Sequence, residues 1–341
     1  MILHSLAKEL GIITIVPTYT RCLGGSFFSD DITETLPKYA SENLLLCDQA
    51  EKFLREFSEN NISAMSYPSV LENKRGDVDD VFKRNFFRRV LDYGQQLFSE
   101  KSYQSLDGIR YRILNNLPLI RDLIWNIRTY YNKDIYDYRY TEDLPEKFIY
   151  YPLQYSPESS INTPAPYFID QMRIIDALRL SMPSDMVLII KEHPSCIQVR
   201  NGNFIRLLRH KAGLRIAYYR MDHKEIIKKA ALTVSVTGTA NFEAFLLNRP
   251  SLVFGGCFFS EFLGGICTLD LSKLRNVIAC AIEKPISRAE QLSALIKILS
   301  VTYPFVIFTP NDGTKYGDMT MSMDNIKNFY IALLSHIKDR N

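Results

Sequence analysis

Small hydroxyl-bearing residues and one glycine lie at the end of a strand-like segment, residues 232–236, and directly after it. They are Ser235, Thr237, Gly238 and Thr239, and the helix-patterned segment behind them carries Glu243. Free N–H groups and the dipole at a helix start favour a phosphate or carboxylate, and a glycine lets a ligand approach the backbone closely. The hydroxyls could add hydrogen bonds, and Glu243 could accept from ribose hydroxyls. The alternative is a purely structural turn that starts a helix.

A histidine lies directly after a second apolar run, residues 186–190. The segment that follows reads Lys-Glu-His-Pro, residues 191–194. A protonated His193 could donate a hydrogen bond to a phosphate. The alternative is that His193 caps the next segment while Pro194 ends the strand.

A third polar segment, residues 154–160, follows an aromatic-rich run at 148–153 and contains Gln154 and Glu158. A carboxylate at the mouth of a cleft could act as a general base or as a nucleophile. The alternative is a solvated loop glutamate without a chemical role.

Strands and helices alternate through this part of the chain. The hydrophobic pattern predicts strands at 148–153, 186–190, 214–219, 232–236 and 250–254, with helices at 169–180, 204–212, 222–231 and 240–247. Such alternation is typical of a parallel sheet with right-handed crossovers. Ligands bind at the carboxyl ends of strands in such sheets, and all three polar segments fall at such ends.

The remainder of the chain is predicted to be helix-rich. Gly11 ends a first helix, residues 12–16 read as a buried strand, and a loop over 17–31 holds Arg21, Asp30 and Asp31. Further helices are predicted at 45–60, 79–98, 109–131, 288–299 and 323–337.

Three parts are therefore predicted. They are an N-terminal part at 1–147, a Rossmann-like domain at 148–285, and C-terminal helices at 286–341 that pack back across a cleft. A Rossmann-like domain opens with a strand, whereas this chain opens with a helix. We therefore expect that the chain begins inside a domain.

Composition narrows the functional classes. The chain has 341 residues and is 46% hydrophobic and 23% charged, as expected for globular domains. A net charge of +3 argues against a nucleic-acid partner.

The six cysteines form no CxxC pair, which disfavours zinc and disulfides and favours a reducing cytoplasm. No apolar run reaches the roughly 18–20 residues of a membrane span. The acidic run at 77–80 is interpreted as a helix start rather than a metal site.

Together these segments resemble the capsule polysaccharide biosynthesis family of bacterial surface-carbohydrate proteins. The resemblance covers roughly residues 148–262 and rests on five features in order: the aromatic strand with its Gln-x-x-x-Glu loop, Asp170-Gln171, the Lys-Glu-His-Pro segment, the Thr-Gly-Thr turn with Glu-Ala, and a Pro-containing strand ending in Phe-Gly. Residues 1–31 more weakly resemble a later part of the family's first domain.

The resemblance implies an α/β, GT-B-like fold class. Two Rossmann-like domains would face a cleft, with the N-terminal one incomplete and helix-rich. The implied function is transfer of a sugar from a nucleotide-sugar, with CMP-Kdo as one candidate, to a glycan or lipid-linked acceptor. No metal or other cofactor is expected. The implied location is the cytoplasm, or peripherally on the inner membrane with the capsule assembly machinery.

The resemblance also implies roles for individual residues. The catalytic residues would be Glu158 and His193. The nucleotide-sugar site would comprise Gln154, Lys191, Ser235, Thr237, Gly238, Thr239 and Glu243, and the acceptor side Arg21, Asp30 and Asp31. Two positions depart from the family pattern: Glu158 stands where aspartate is usual, and Asn241 replaces a glycine and is expected to crowd the ligand. Two alternatives stay open, a nucleotide-sugar epimerase of GT-B shape and a truncated, non-catalytic nucleotide-sugar-binding member.

Overall fold

The computed structural model describes residues 2–20, 25–59, 91, 135–154, 165–193, 196, 200, 202–263, 270–305 and 322–340. Its strands are β1 (Val16–Tyr19), β2 (Ser26–Ser29), β3 (Phe148–Pro152), β4 (Val187–Lys191), β5 (Leu214–Ala217), β6 (Leu232–Ser235) and β7 (Ser251–Val253). Its α-helices are α1 (Ile2–Glu9), α2 (Cys47–Glu59), α3 (Gln171–Ser181), α4 (Gly202–Arg209), α5 (His223–Lys229), α6 (Thr239–Leu246), α7 (Leu271–Glu283), α8 (Arg288–Leu299) and α9 (Met323–Arg340).

A five-stranded parallel sheet forms the centre of the described structure. Its strand order is β5-β4-β3-β6-β7, and every pairing is parallel. The predicted α/β class is therefore confirmed. After β3 the chain adds β4 and β5 on one side, and it then returns to add β6 and β7 on the other. The boundary between β3 and β6 is a topological switch point, where the loops diverge and leave a crevice at the carboxyl edge.

Helices cover both faces of this sheet, so its strands read as nearly continuous apolar runs. On one face α3 and α7 pack against residues such as Ile149, Leu188 and Leu252. On the other face α5 and α6 cover Phe148 and Tyr150. Alternate residues of β3 thus face opposite layers, as strand geometry requires. Helix α7 was not predicted from the sequence.

The N-terminal strand was predicted at the wrong residues. Ile12 and Ile13 are exposed rather than buried, and the strand is β1 (Val16–Tyr19), which pairs antiparallel with β2 (Ser26–Ser29). The segment predicted as a loop, 17–31, is therefore a β-hairpin. Its position depends on distant residues, because Ser26 bridges to Tyr303 and Phe28 stacks on Phe305.

The C-terminal helices contact the N-terminal elements. Helix α8 packs on α2, and Leu54, Phe57, Phe242, Leu295 and Ile298 share one buried cluster. Helix α9 packs on β2. The domain boundaries at 147 and 285 stay predictions. The helices predicted at 79–98 and 109–131 lie outside the described residues.

Several helix starts have caps that the sequence encodes locally. Asp222 caps α5 by accepting from the N–H of Lys224 at 2.8 Å, as predicted. Ser287 and Glu290 form a capping box at the start of α8. These local signals fix where the crossover helices begin and therefore which residues lie at the carboxyl edge of the sheet.

Candidate functional site

The three polar segments lie at one edge of the sheet. Gln154 follows β3, His193 follows β4, and Ser235 is the last residue of β6. Strand β3 pairs with both β4 and β6, and Pro152 lies opposite Lys191 in the register. The carboxyl ends of β3, β4 and β6 therefore converge at the switch point, where a ligand would bind in this class of fold.

Gly238 brings the turn after β6 against Gln154. A Cβ at Gly238 would lie 2.6 Å from Gln154 Nε2 and 2.9 Å from Ser235 Oγ, so a larger residue would displace them. The glycine thus makes room for the Gln154 amide. Gly238 is also the N-cap of α6, and no side chain within the described part of the chain caps this helix.

Ser235 and Asn241 hold the turn together from within the fold. The Ser235 hydroxyl donates to Asn241 Oδ1 and accepts from Gly238 N at 2.9 Å. The buried Asn241 amide donates to the carbonyls of Thr233, at 3.2 Å, and Leu252, at 2.5 Å. Asn241 therefore binds β6 and β7 instead of crowding a ligand, which corrects the expectation. Of the other two hydroxyl residues in the turn, Thr237 is buried and Thr239 is half-buried.

A buried network fixes the point where the segment 155–164 leaves the sheet. The Gln154 N–H donates to Gln171 Oε1 at 2.7 Å, and Gln171 Nε2 donates back to the Gln154 carbonyl at 3.1 Å. Arg200 donates to the same carbonyl at 2.5 Å. Glu158 belongs to this segment and lies outside the described residues, so its catalytic role stays a prediction.

A buried ion pair supports the histidine after β4. Arg200 Nε donates to Glu192 Oε2 at 2.9 Å, and the two side chains are 10% and 3% exposed. The His193 backbone N–H donates to the other carboxylate oxygen at 2.8 Å. Such enclosed charges are tolerated when additional hydrogen bonds satisfy them. Arg200 was not identified from the sequence, because no motif connects it to residues 154 and 192.

His193 is neutral near pH 7 in this structure. Burial, and after it the positive charges of Lys191 and Arg200, lower its pKa from the ordinary 6.5 to about 4. The expectation of a protonated imidazole is therefore corrected for the ligand-free site. A neutral imidazole still donates one hydrogen bond, and an anion bound beside these cations would raise the pKa again.

Glu243 is hydrogen-bonded to a histidine that the sequence analysis did not select. Its Oε2 lies 2.8 Å from His223 Nε2, and the Glu243 side chain is only 3% exposed. His223 directly follows the N-cap Asp222 at the carboxyl end of β5. The sequence could have indicated His223 by this position, because it places His223 at the same edge of the sheet as the three polar segments.

Two of the predicted acceptor-side residues, Asp30 and Asp31, directly follow β2. Asp30 Oδ1 is 3.2 Å from His336 Nε2 in α9, and Asp31 Oδ1 accepts from the N–H of Thr33 at 2.8 Å. Both carboxyl groups thus have contacts inside the protein. Arg21 lies outside the described residues. The acceptor-side assignment of all three stays a prediction.

The described residues also bear on metal binding and on membrane insertion. Within the described ranges, no group of three or more histidine, cysteine, aspartate or glutamate side chains is placed to hold a metal ion. None of the helices given above is both long and apolar enough to cross a bilayer.

A comparison with protein families identifies one whose profile this chain matches. The family profile described as capsule polysaccharide biosynthesis protein matches residues 83–289, which is more than half of the chain. No curated protein sequence shows significant similarity.

Solved structures show a distant similarity in fold. The β-Kdo 2,4-transferase KpsC of Thermosulfurimonas dismutans has 13% identity and a TM-score of 0.40 over 85% of this chain and 81% of that one. The UDP-GlcNAc 2-epimerase of Methanocaldococcus jannaschii, solved with UDP-GlcNAc and UDP, has 14% identity, a TM-score of 0.30 and coverages of 55% and 52%, so this chain spans about half of its length. Anabaena HepE, solved with UDP and glucose, has 15% identity, a TM-score of 0.29 and coverages of 45% and 43%. These similarities concern the general fold alone.

Proposed function

The chain belongs to the capsule polysaccharide biosynthesis protein family, and from this premise we propose that it transfers a sugar from a nucleotide-sugar donor during assembly of a surface polysaccharide. The supporting observation is the meeting of Gln154, His193 and the Gly238 turn at the switch point of the sheet. In open α/β sheets this is where a nucleotide ligand binds.

The donor phosphate would lie between the turn after β6 and the basic side chains after β4. Lys191 and His193, together with the backbone around Gly238 and Thr239, would neutralise the phosphate as the bond to the sugar breaks. Stabilisation of charge that develops on a leaving group is a large contribution to catalysis when the groups are held in advance. The buried Arg200–Glu192 pair provides that rigidity for His193.

Glu158 would act at the sugar carbon as nucleophile or base. Its segment starts at Gln154, whose backbone is bonded to Gln171 and Arg200. CMP-Kdo is a candidate donor, and the acceptor would be a glycan or a lipid-linked glycan. The reaction would take place in the cytoplasm or at the inner membrane beside the assembly machinery.

Thermal stabilisation by nucleotides tests the donor site. The purified chain is heated with CMP, UDP, GDP and their sugars, and a ligand at about 100 times its Kd should add roughly 2.7 kcal/mol of stability. One nucleotide series should raise the Tm, and His193→Ala should abolish the shift. His210→Ala is the matched control, because His210 is exposed and lies outside the site. A well-folded wild type that responds to no nucleotide would contradict the proposal.

Product analysis separates transfer from the two alternatives. A transferase releases nucleotide only when an acceptor is present, and Glu158→Gln should stop transfer while leaving nucleotide binding intact. An epimerase would convert the nucleotide-sugar without acceptor. A non-catalytic member would bind the donor and leave it unchanged, and near-normal transfer by both Glu158→Gln and His193→Ala would refute the site assignment.

A further inference from the structure

Glu243 is buried too deeply to be a ligand residue itself. The residue is 2% exposed. Its charge is the second cause, after burial, that raises the pKa of Tyr150, so Glu243 lies near this residue of β3. A carboxyl group in such surroundings requires partners within the protein. Its hydrogen bond to His223 Nε2 at 2.8 Å supplies one.

This hydrogen bond selects the tautomer of His223. A carboxylate can only accept, so Nε2 carries a proton, and the neutral imidazole then presents its lone pair at Nδ1. Asp222 Oδ1 lies 3.8 Å from Nδ1 and accepts from the Lys224 N–H at 2.8 Å. The His223 side chain is 31% exposed, so a ligand can reach the imidazole.

His223 also lies beside the proposed phosphate site. It begins α5, in the connection that follows the carboxyl end of β5, and its partner Glu243 belongs to α6, the helix that starts at the Gly238 turn. An accepting Nδ1 matches a hydroxyl group. It does not match a nucleotide phosphate, whose oxygens also accept at neutral pH.

We infer that His223, oriented by the buried Glu243, accepts a hydrogen bond from a hydroxyl of the nucleotide-sugar, on either the ribose or the transferred sugar. Glu243 is then a positioning residue that does not touch the ligand, in contrast to the role expected from the sequence. This inference rests on the proposed function and identifies how that site distinguishes hydroxylated ligands.

Calorimetric titration of His223→Ala tests the inference with the nucleotide that stabilises the wild type. Loss of one hydrogen bond to the hydroxyl should weaken binding about tenfold. If the hydroxyl is the ribose 2′-hydroxyl, the wild type should bind the 2′-deoxynucleotide about tenfold more weakly than the ribonucleotide. The variant His223→Ala should bind these two nucleotides equally well. If the hydroxyl is on the sugar, His223→Ala should weaken the nucleotide-sugar and leave the free nucleotide unaffected.

Paired substitutions distinguish the position of the hydrogen-bonding group at residue 223 from the loss of side-chain packing. His223→Asn places an amide near the Nδ1 locus and should retain part of the affinity, whereas His223→Gln reaches toward Glu243 and should behave like His223→Ala. Glu243→Gln still offers an accepting oxygen to Nε2 and should lose less affinity than Glu243→Leu. Nitrogen-15 NMR of the wild type should show the Nε2–H tautomer of His223, a measurement that needs no variant to fold.

The outcomes distinguish this inference from the proposed function. A wild type that binds a nucleotide while His223→Ala binds both nucleotide and nucleotide-sugar equally tightly overturns the inference alone. An Nδ1–H tautomer in the wild type would overturn it as well. A wild type that binds no nucleotide would instead refute the proposed function.

Discussion

Two histidine–carboxyl pairs in this protein have opposite exposure. At the carboxyl edge of the sheet, Glu243 is enclosed with 3% side-chain exposure and His223 is 31% exposed. Between the hairpin and α9, His336 has no exposure at all, and Asp30 is 34% exposed. The residue types and the separations, 2.8 and 3.2 Å, are similar. Exposure therefore decides which of the two imidazoles can meet a ligand.

The enclosed imidazole acts as a structural link. The Tyr39 hydroxyl forms a hydrogen bond with His336 Nδ1 at 2.8 Å. The other ring nitrogen faces Asp30, and the ring lies 5.7 Å from the ring of Phe28. All of these contacts join α9 to the N-terminal elements. The difference between the pairs predicts a structural role for His336 and, on the inference drawn above, a binding role for His223.

The largest expected effect is on stability at the enclosed pair. Replacing His336 with Ala removes a fully buried side chain and its polar contacts, which should cost about 3 kcal/mol. His223→Ala should cost less, about 1–2 kcal/mol, because the partly solvated imidazole buries less surface, although its loss removes one partner of the buried Glu243. Urea denaturation of both variants measures the difference. Equal losses would remove the distinction between the two pairs.

A third histidine should make stability depend on pH. The pKa of His193 is lowered from 6.5 to about 4 on folding, so the unfolded chain binds more protons between these values. Its contribution is fully present above pH 6.5 and is lost as pH falls toward 4, on the order of 2 kcal/mol. Unfolding free energies at pH 4.5 and 7 should differ less in His193→Gln than in the wild type. An unchanged difference would show that this histidine is not buried in its neutral form.

The smallest expected effect concerns Gly238. An added Cβ must displace the Gln154 amide, so Gly238→Ala should cost about 1 kcal/mol and weaken nucleotide binding. The double variant Gly238→Ala, Gln154→Ala makes room again and should recover part of the stability without restoring binding. Thermal melts with and without nucleotide measure both quantities. No recovery would mean that the clash is with Ser235 instead.

Much of the fold of residues 148–299 was predictable. The strands β3 to β7 and the helices α3 to α6 and α8 lie within three residues of the predicted bounds, because buried parallel strands and capped helices have strong local signals. The prediction of a strand at residues 12–16 was wrong because the local pattern is misleading there. Its apolar residues are exposed, while the true strand β1 contains Pro17 and depends on pairing with β2.

The candidate site was predictable only in part. The sequence located Gln154, His193 and Gly238, because each follows a recognisable strand. Arg200, Gln171 and His223 complete their surroundings, and their partners are 46, 17 and 20 residues away in the chain. Contacts between distant positions leave no periodic pattern in one sequence, so these roles could not be derived from it.

By itself the sequence determined the alternation of strands and helices, and hence the edge where the polar segments meet, because hydrophobic periodicity and helix caps act over a few residues. Only the tertiary structure decided which polar groups are already bonded within the protein. It directed Asn241 into the sheet, made His193 neutral by burial, and placed the Glu243 carboxyl beneath the His223 imidazole. Burial and charge are set by the sum of distant neighbours, and that sum exists only in the folded chain.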